Sequence, residues 1–262
     1  MTGTAPDNFT VTMFTHNGET KTVYRAGSGP GVVVMSEMPG ITPKVAEFAH
    51  RVVDAGFTVA MPVLFGTPGK DMSVPYVMKS MTTGCISKEF ATWATNRTSP
   101  VIEWLRALAR DLHEQAGGPG VGAIGMCFTG GFALAMAVDD DMLAPVLSQP
   151  SLPFAIGKAR SRSLGLSDAD LARVAARSDL CVLAMRFTQD RFVPAARFEH
   201  LKEVLGDRVI AIEISNHPDD NPHEIPRAAH SVVTEHLVEE PGHPTLDALN
   251  QVLDFFKQRL SA

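Results

Sequence analysis

The chain has 262 residues, of which 45% are hydrophobic and 20% are charged, so it is long enough to bury one large core. Its net charge is −6 and its lysines and arginines form no long run, which argues against nucleic-acid and anionic-membrane partners. No apolar run approaches the ~18 residues of a membrane span, and residues 1–8 lack the basic and apolar regions of a signal peptide. We therefore expect one domain over residues 1–262, a cytoplasmic location and small-molecule partners.

Hydrophobic periodicity predicts a hairpin followed by alternating strands and helices. Residues 11–27 alternate around Asn17-Gly18, which is typical of a tight two-residue turn. We predict strands at 31–36, 57–61, 121–125, 142–147, 180–187 and 209–214. We predict helices at 43–55, between Thr42 and Gly56, and at 101–115, 128–138, 168–177, 194–205 and 245–260. This alternation predicts an α/β fold with a mostly parallel sheet and helices on both faces.

Two long segments interrupt the alternation. Residues 62–95 are rich in Gly, Pro, Ser, Thr and Met, and we expect a lid or a pocket wall there. Residues 216–244 are polar and contain five of the nine histidines. Long loops in a compact domain are usually functional or mobile, so both are candidates for a site.

Cys127 lies in the stretch VGAIGMCFTGGFALAM, two residues past the end of a predicted strand. Small residues two positions on either side of it, Gly125 and Thr129, suit the sharp turn on which a nucleophile is presented. Ligands of open parallel sheets bind beyond the carboxyl ends of strands, and the N-terminus of the following helix would favour a thiolate. The alternative is that Cys127 is a small core residue, as free cysteines often are.

A base and an acid occupy equivalent positions further along the chain. Asp190 follows the predicted strand 180–187, and His230 lies in the loop after the next strand, which gives the order nucleophile, acid, histidine. Asp190 could instead begin a turn before Pro194. Sequence order also leaves four other histidines open as the base: His217, His223, His236 and His243.

We expect no metal, no disulfide framework and no cofactor. The histidine spacings of six or seven match neither an i, i+4 helical pair nor a zinc-finger set. The three cysteines, Cys85, Cys127 and Cys181, are an odd number without paired metal-ligand spacing.

Taken together, these motifs resemble the dienelactone hydrolases of the α/β-hydrolase superfamily, over residues 31–260. The resemblance rests on four motifs: Glu37-Met38-Pro39-Gly40, the turn from Gly125 to Gly131, the run from Asp190 to Pro194, and His230-Ser231. It implies an α/β-hydrolase fold. It also implies Cys127 as nucleophile with Asp190 and His230 as partners, and it selects His230 among the histidines.

The resemblance further implies that Glu37 is an extra acid, which holds the thiol neutral in the free enzyme until substrate binds. Such an arrangement would protect Cys127 from oxidation. The backbone N–H groups of Phe128 and Met38 would then form the oxyanion hole. Glu37 could otherwise be a solvated loop residue.

Substrate recognition departs from the family pattern. The best-known members bind a substrate carboxylate with arginines, one of them shortly after the catalytic histidine, where this chain has Ser231-Val232-Val233-Thr234. Arg97 and Arg191 are candidate replacements, although both could be ordinary surface residues. The pocket candidates are Phe90, Trp93, Phe128, Phe154 and Ser231.

The sequence therefore predicts a cysteine-dependent hydrolase of a small lactone or activated ester, acting through a thioacyl-enzyme intermediate. One alternative is a general carboxylesterase or thioesterase with an apolar acyl pocket. A second is a redox-sensing or ligand-binding thiol protein without turnover.

Overall fold

The computed structural model describes residues 6–73, 75–77, 80 and 99–261, and their centre is one eight-stranded sheet. The sheet begins with the predicted hairpin, in which β1 (Thr10–His16) and β2 (Glu19–Ala26) pair antiparallel. Asn17 and Gly18 form its turn with φ of 50° and 79°, the left-handed values that a type I′ turn requires. The sequence signal of the turn is thus confirmed.

Six strands continue the sheet in mutually parallel orientation, and β4 also pairs antiparallel with β2. They are β3 (Gly31–Met35), β4 (Thr58–Pro62), β5 (Val121–Met126), β6 (Met142–Ser148), β7 (Val182–Phe187) and β8 (Val209–Ile214). The strand order is β1-β2-β4-β3-β5-β6-β7-β8. Every residue of β3, β5 and β7 is buried, as expected for strands covered on both faces.

Helices cover both faces of the sheet, which confirms the predicted architecture. The helices with described bounds are α1 (Pro43–Asp54), α2 (Pro100–Ala116), α3 (Phe132–Met136), α4 (Gly157–Arg162), α5 (Asp168–Ala176), α6 (Ala195–Leu205) and α7 (Pro244–Leu260). One face packs against α1 and α7 through residues such as Val32 and Ile124. The other face packs against α2, α3, α5 and α6 through residues such as Val33 and Ala123, which adjoin Val32 and Ile124 in their strands.

Two helix predictions differ from the structure. The helix predicted at 128–138 is a 3₁₀ turn, Cys127–Thr129, followed by the short helix α3. Two glycines separate them, and a Cβ on Gly130 would lie 2.5 Å from the Cα of Pro150, so the chain packs too closely there for a larger residue. Helix α4 was not predicted, because its sequence GKARSR has no apolar periodicity and buries no residue.

The predicted lid at 62–95 is described only in part. Its first residues lie against the body of the protein, where Phe65 is buried and the Gly69 N–H donates to the Ile41 carbonyl at 2.8 Å. Residues 81–95 lie outside the described residues, so the lid stays a prediction. Within the described part of the chain, no helix is long and apolar enough to cross a membrane.

Candidate active site

The parallel strands bring four predicted site residues to one edge of the sheet. Glu37 follows β3, Cys127 follows β5, Asp190 follows β7, and His230 lies in the loop after β8. Because the carboxyl ends of parallel strands share an edge, residues as far as 197 positions apart in sequence meet there, as Glu37 and Thr234 do.

Cys127 occupies a strained turn directly after β5. Its φ is +55°, a left-handed value that non-glycine residues rarely adopt and that costs about 1–3 kcal/mol. A Cβ on Gly125 would lie 1.9 Å from the Thr129 carbonyl oxygen, so only glycine fits at that position. Cys127 itself is buried, with 8% exposure. The turn predicted from the Gly and Thr spacing is therefore present.

Thr129 fastens this turn to the neighbouring strand. Its hydroxyl accepts from the Met126 N–H at 2.9 Å and lies 3.1 Å from the Met35 carbonyl at the end of β3. The side chain is fully buried. Thr129 thus holds the strained turn in register with the strand that leads to Glu37.

Asp190 and His230 meet at hydrogen-bond distance. Asp190 Oδ2 lies 2.6 Å from His230 Nδ1, and Asp190 Oδ1 accepts from the Phe192 N–H at 2.9 Å. The Asp190 side chain is 2% exposed and that of His230 is 19% exposed. A carboxylate at Nδ1 directs the remaining ring nitrogen, Nε2, toward the rest of the site and fixes its orientation.

The surroundings of His230 favour its protonated form. Burial acts to lower the pKa of its imidazole, but negative charge on Cys127 and the hydrogen bond that the ring donates to Asp190 outweigh burial and raise the pKa well above its usual 6.5. An imidazolium beside a thiolate is the ion pair on which cysteine nucleophiles depend.

The four competing histidines have other partners. His236 Nδ1 accepts from the backbone N–H groups of His230 and Ser231 at 3.4 and 3.2 Å, so it supports the loop that carries His230. Burial and the nearby His230 charge lower the pKa of His236. The other three lie elsewhere: His217 near Asp219, and His223 against His243, which caps α7.

Ser151 lies within reach of both the sulfur and the imidazole, a position that no sequence motif predicts. Its hydroxyl is 3.5 Å from Cys127 Sγ and 3.4 Å from His230 Nε2. Its backbone N–H donates to the Cys127 carbonyl at 3.0 Å. No local motif marks it, since the contacts come from a loop after β6 that is 24 residues away from the cysteine.

Glu37 is buried, with 1% exposure, so it is not a solvated loop residue. Ser231 Oγ and Thr234 Oγ1 both donate to its carboxylate, and Gln149 Nε2 donates at 3.3 Å. Among the described residues, the carboxylate has no hydrogen bond with Cys127, which differs from the pairing that the resemblance implied. The Ser231 hydroxyl, expected to contact substrate, is 3% exposed and is occupied by Glu37 instead.

Two further buried amides, Gln149 and Asn216, hold the loops together and were also missed. Gln149 has a φ of +36°, and its side chain joins Glu37 to the Val232 N–H, which donates to it at 3.4 Å. Asn216 accepts from the Gln189 N–H at 2.9 Å and donates to the Pro226 carbonyl at 3.1 Å. Asn216 therefore connects the loop of Asp190 to that of His230.

Aromatic side chains lie next to both Cys127 and His230. The Phe128 ring meets Phe154 edge to face at 5.6 Å, and Phe192 meets His230 at 5.7 Å. Phe154, Ile156 and Phe192 are exposed. Met38, the other proposed oxyanion donor, is buried directly after Glu37. Phe90, Trp93 and Arg97 lie outside the described residues, so their substrate-binding roles stay predictions.

An open cavity of about 320 Å³ adjoins the acid. Arg191 and Arg227 line it together with Phe192 and Asp190. Arg191 is therefore exposed beside the site and is not part of a buried ion pair. In the described ranges, no group of three or more His, Cys, Asp or Glu side chains is arranged to hold a metal ion.

A model of the dienelactone hydrolase family matches residues 19–260. No curated protein matches the chain in sequence. Among solved structures, one from Klebsiella pneumoniae subsp. pneumoniae, proposed to be a dienelactone hydrolase, is 19% identical, with a TM-score of 0.65 over 95% of this chain and 98% of that one.

Two metagenomic proteins are also similar in structure. A dienelactone hydrolase-like promiscuous phosphotriesterase is 18% identical, with a TM-score of 0.65 over 97% of this chain and 98% of that one. A cold-adapted esterase from an Arctic intertidal library is 15% identical, with a TM-score of 0.53 over 96% and 93%. At these identities the likeness establishes the fold, which is that of the α/β-hydrolases.

Proposed function

This chain belongs to the dienelactone hydrolase family of carboxylic ester hydrolases, and from that membership we propose that Cys127 is the nucleophile in hydrolysis of a small lactone or activated ester. The observation that carries the proposal is the convergence of four side chains from four loops. The strained turn presents Cys127, Ser151 links its sulfur to His230 Nε2, and Asp190 holds His230 Nδ1 at 2.6 Å.

In the proposed reaction, His230 takes the proton of the Cys127 thiol, and the thiolate attacks the carbonyl carbon. The backbone N–H groups of Phe128 and Met38 stabilise the oxyanion, and each such donor is worth about 10²–10³ in turnover. The imidazolium then protonates the leaving oxygen as its bond to the acyl carbon breaks. Neutral His230 next takes a proton from water, which attacks the thioester carbon and expels the Cys127 thiolate. General acid and base work of this kind contributes about 10²–10⁴ in rate.

We assign Glu37 a supporting part in this reaction. Its carboxylate accepts hydrogen bonds from Ser231 and Thr234, which follow His230 in the same loop. This arrangement fixes the loop so that the imidazole faces Cys127. The role favoured by the hydrogen bonds is thus to position His230, and not to hold the thiol.

Hydrolysis of dienelactone, followed by ultraviolet absorbance, tests the proposal. Wild type, Cys127→Ala and the matched control Cys181→Ala are compared, since Cys181 is a free, half-buried cysteine away from the site. We expect turnover in the wild type and in the control, and loss in Cys127→Ala. Hydrolysis that survives in Cys127→Ala would remove the cysteine mechanism.

A specific observation also favours the esterase alternative. Phe128, which directly follows Cys127, packs against the exposed ring of Phe154, and this apolar surface suits an acyl chain without charge. No turnover of dienelactone, with a Cys127-dependent burst on a simple activated ester, would select this alternative. Rapid peroxide modification of Cys127 without hydrolysis of any ester would select a redox-sensing thiol.

We also propose that residues 1–262 form one domain in the cytoplasm. Support for one domain comes from the continuous sheet and from the family match over residues 19–260. Support for the location comes from Cys127 and Cys181, which are free thiols, the form that a reducing compartment maintains.

A further inference from the structure

The loop after β6 places one hydroxyl against both reacting partners of the proposed mechanism. Ser151 is 2% exposed, and its Oγ lies 3.5 Å from Cys127 Sγ and 3.4 Å from His230 Nε2. The same hydroxyl donates to the Gln149 carbonyl at 3.1 Å. A serine hydroxyl has one proton to donate and two lone pairs to accept, so it can serve only one of these acceptors at a time.

Ionisation of the thiol changes which acceptor is preferred. While Cys127 is neutral, its sulfur is a weak acceptor, and the Ser151 hydroxyl donates its hydrogen bond to the Gln149 carbonyl. Once Cys127 has given its proton to His230 Nε2, the sulfur carries a full negative charge. Charge-assisted hydrogen bonds are about twice as strong as neutral ones, so the Ser151 O–H turns toward Sγ.

We propose that Ser151 is a catalytic residue that stabilises the thiolate and imidazolium pair by donating to Cys127 Sγ and accepting from His230 Nε2–H. The proposal rests on the proposed function, because it requires Cys127 to ionise. The proton balance is simple: the thiol proton moves to Nε2, and Ser151 keeps its own proton throughout. Only the direction of the hydroxyl bond changes, from the Gln149 carbonyl to the sulfur.

A buried guanidinium holds Ser151 in place for this role. Arg197 is 2% exposed and donates to the carbonyl of Pro150, directly before Ser151, at 2.6 Å. It also donates to the carbonyls of Pro153 and of Ser163, the latter at 2.8 Å. Burial lowers the pKa of Arg197 to about 10, so it remains a cation at neutral pH. Together with the Ser151 N–H bonded to the Cys127 carbonyl, these bonds leave the serine little freedom.

The test is alkylation of Cys127 by iodoacetamide across a range of pH, with the modified residue identified by mass spectrometry. This readout follows the thiolate and needs no substrate. We expect alkylation of Ser151→Ala at pH 7 to be about tenfold slower than in the wild type, with a pH profile displaced upward. Ser151→Thr, which keeps a hydroxyl, should follow the wild type. The control Ser161→Ala removes a hydroxyl that bonds to Gly157 in α4 and should change nothing.

Two outcomes would overturn the proposal. One is a Ser151→Ala profile that coincides with the wild type, and the other is a Ser151→Thr profile displaced as far as that of Ser151→Ala. Ester hydrolysis by Cys127→Ala, measured alongside, separates this failure from failure of the proposed function. If Cys127→Ala is inactive while the Ser151 variants alkylate normally, the nucleophile stands and only the serine role falls.

Discussion

The two buried carboxylates of the candidate site have different kinds of partner. Asp190 bonds to an ionisable ring, His230, and so its charge acts on the proposed base. Glu37 accepts hydrogen bonds from uncharged groups, two hydroxyls and one amide, and so its charge stabilises the loop that carries His230. The two carboxylates are therefore similarly buried but have different roles. Asp190 sets the electrostatics of the base, and Glu37 sets its position.

Of the substitutions at the two buried carboxylates, Asp190→Asn should reduce turnover the most. The amide cannot stabilise an imidazolium as a carboxylate does, so we expect kcat for ester hydrolysis to fall about 10²–10⁴-fold while the protein stays folded. Steady-state kinetics and a thermal melt measure the two effects. Asp219→Asn, an exposed carboxylate near His217, is the matched control. Near-normal turnover in Asp190→Asn would remove Asp190 from the mechanism.

Glu37→Gln should instead act mainly on stability. The glutamine loses one acceptor oxygen, which leaves a buried hydroxyl of Ser231 or Thr234 without its charged partner at a cost of about 1–3 kcal/mol. Urea unfolding measures this loss. Iodoacetamide alkylation of Cys127 in the same variant should keep the wild-type pH profile. A displaced profile with normal stability would support the direct pairing with the thiol that the family resemblance implied.

The sequence predicted those parts of the site that local pattern determines. The turn around Cys127 was predictable because only small residues fit at Gly125, and the order of Cys127, Asp190 and His230 follows from the strand alternation. Ser151 and Asn216 were not predictable, because each acts through hydrogen bonds to distant segments that leave no spacing signal. The helix predicted at 128–138 is present only as the 3₁₀ turn Cys127–Thr129 and the short helix α3, and the close approach of Pro150 to Gly130 is likewise a contact with a distant segment.

The charges around His230 and His236 predict that their imidazole pKa values shift in opposite directions. By NMR of the imidazole carbons, His230 should titrate above 6.5 and His236 below it. Cys127→Ala should lower the pKa of His230, since it removes negative charge beside the ring. A raised pKa in the folded state contributes stability that is present below pH 6.5 and is lost as pH rises through the folded value. Equal titration of both histidines would contradict the assignment of His230 as the charged partner.

The smallest expected effect is the change in stability on substitution of Glu235, a carboxyl near Glu37. Glu235 is half-buried, and burial, followed by the charge of Glu37, raises the pKa of its carboxyl. A carboxyl with a raised pKa destabilises the folded state once pH exceeds its unfolded value of 4.5. Glu235→Gln should therefore stabilise the protein at pH 8, by less than about 1 kcal/mol because solvent screens a partly exposed group.

The pH dependence distinguishes this electrostatic gain from a change in packing. At pH 4 Glu235 is protonated and already neutral, so the difference in melting temperature between Glu235→Gln and the wild type should disappear there. The control Glu224→Gln, on an exposed turn, should show no difference at either pH. A stabilisation of equal size at pH 4 and pH 8 would mean that the gain comes from packing and not from the charge of Glu235.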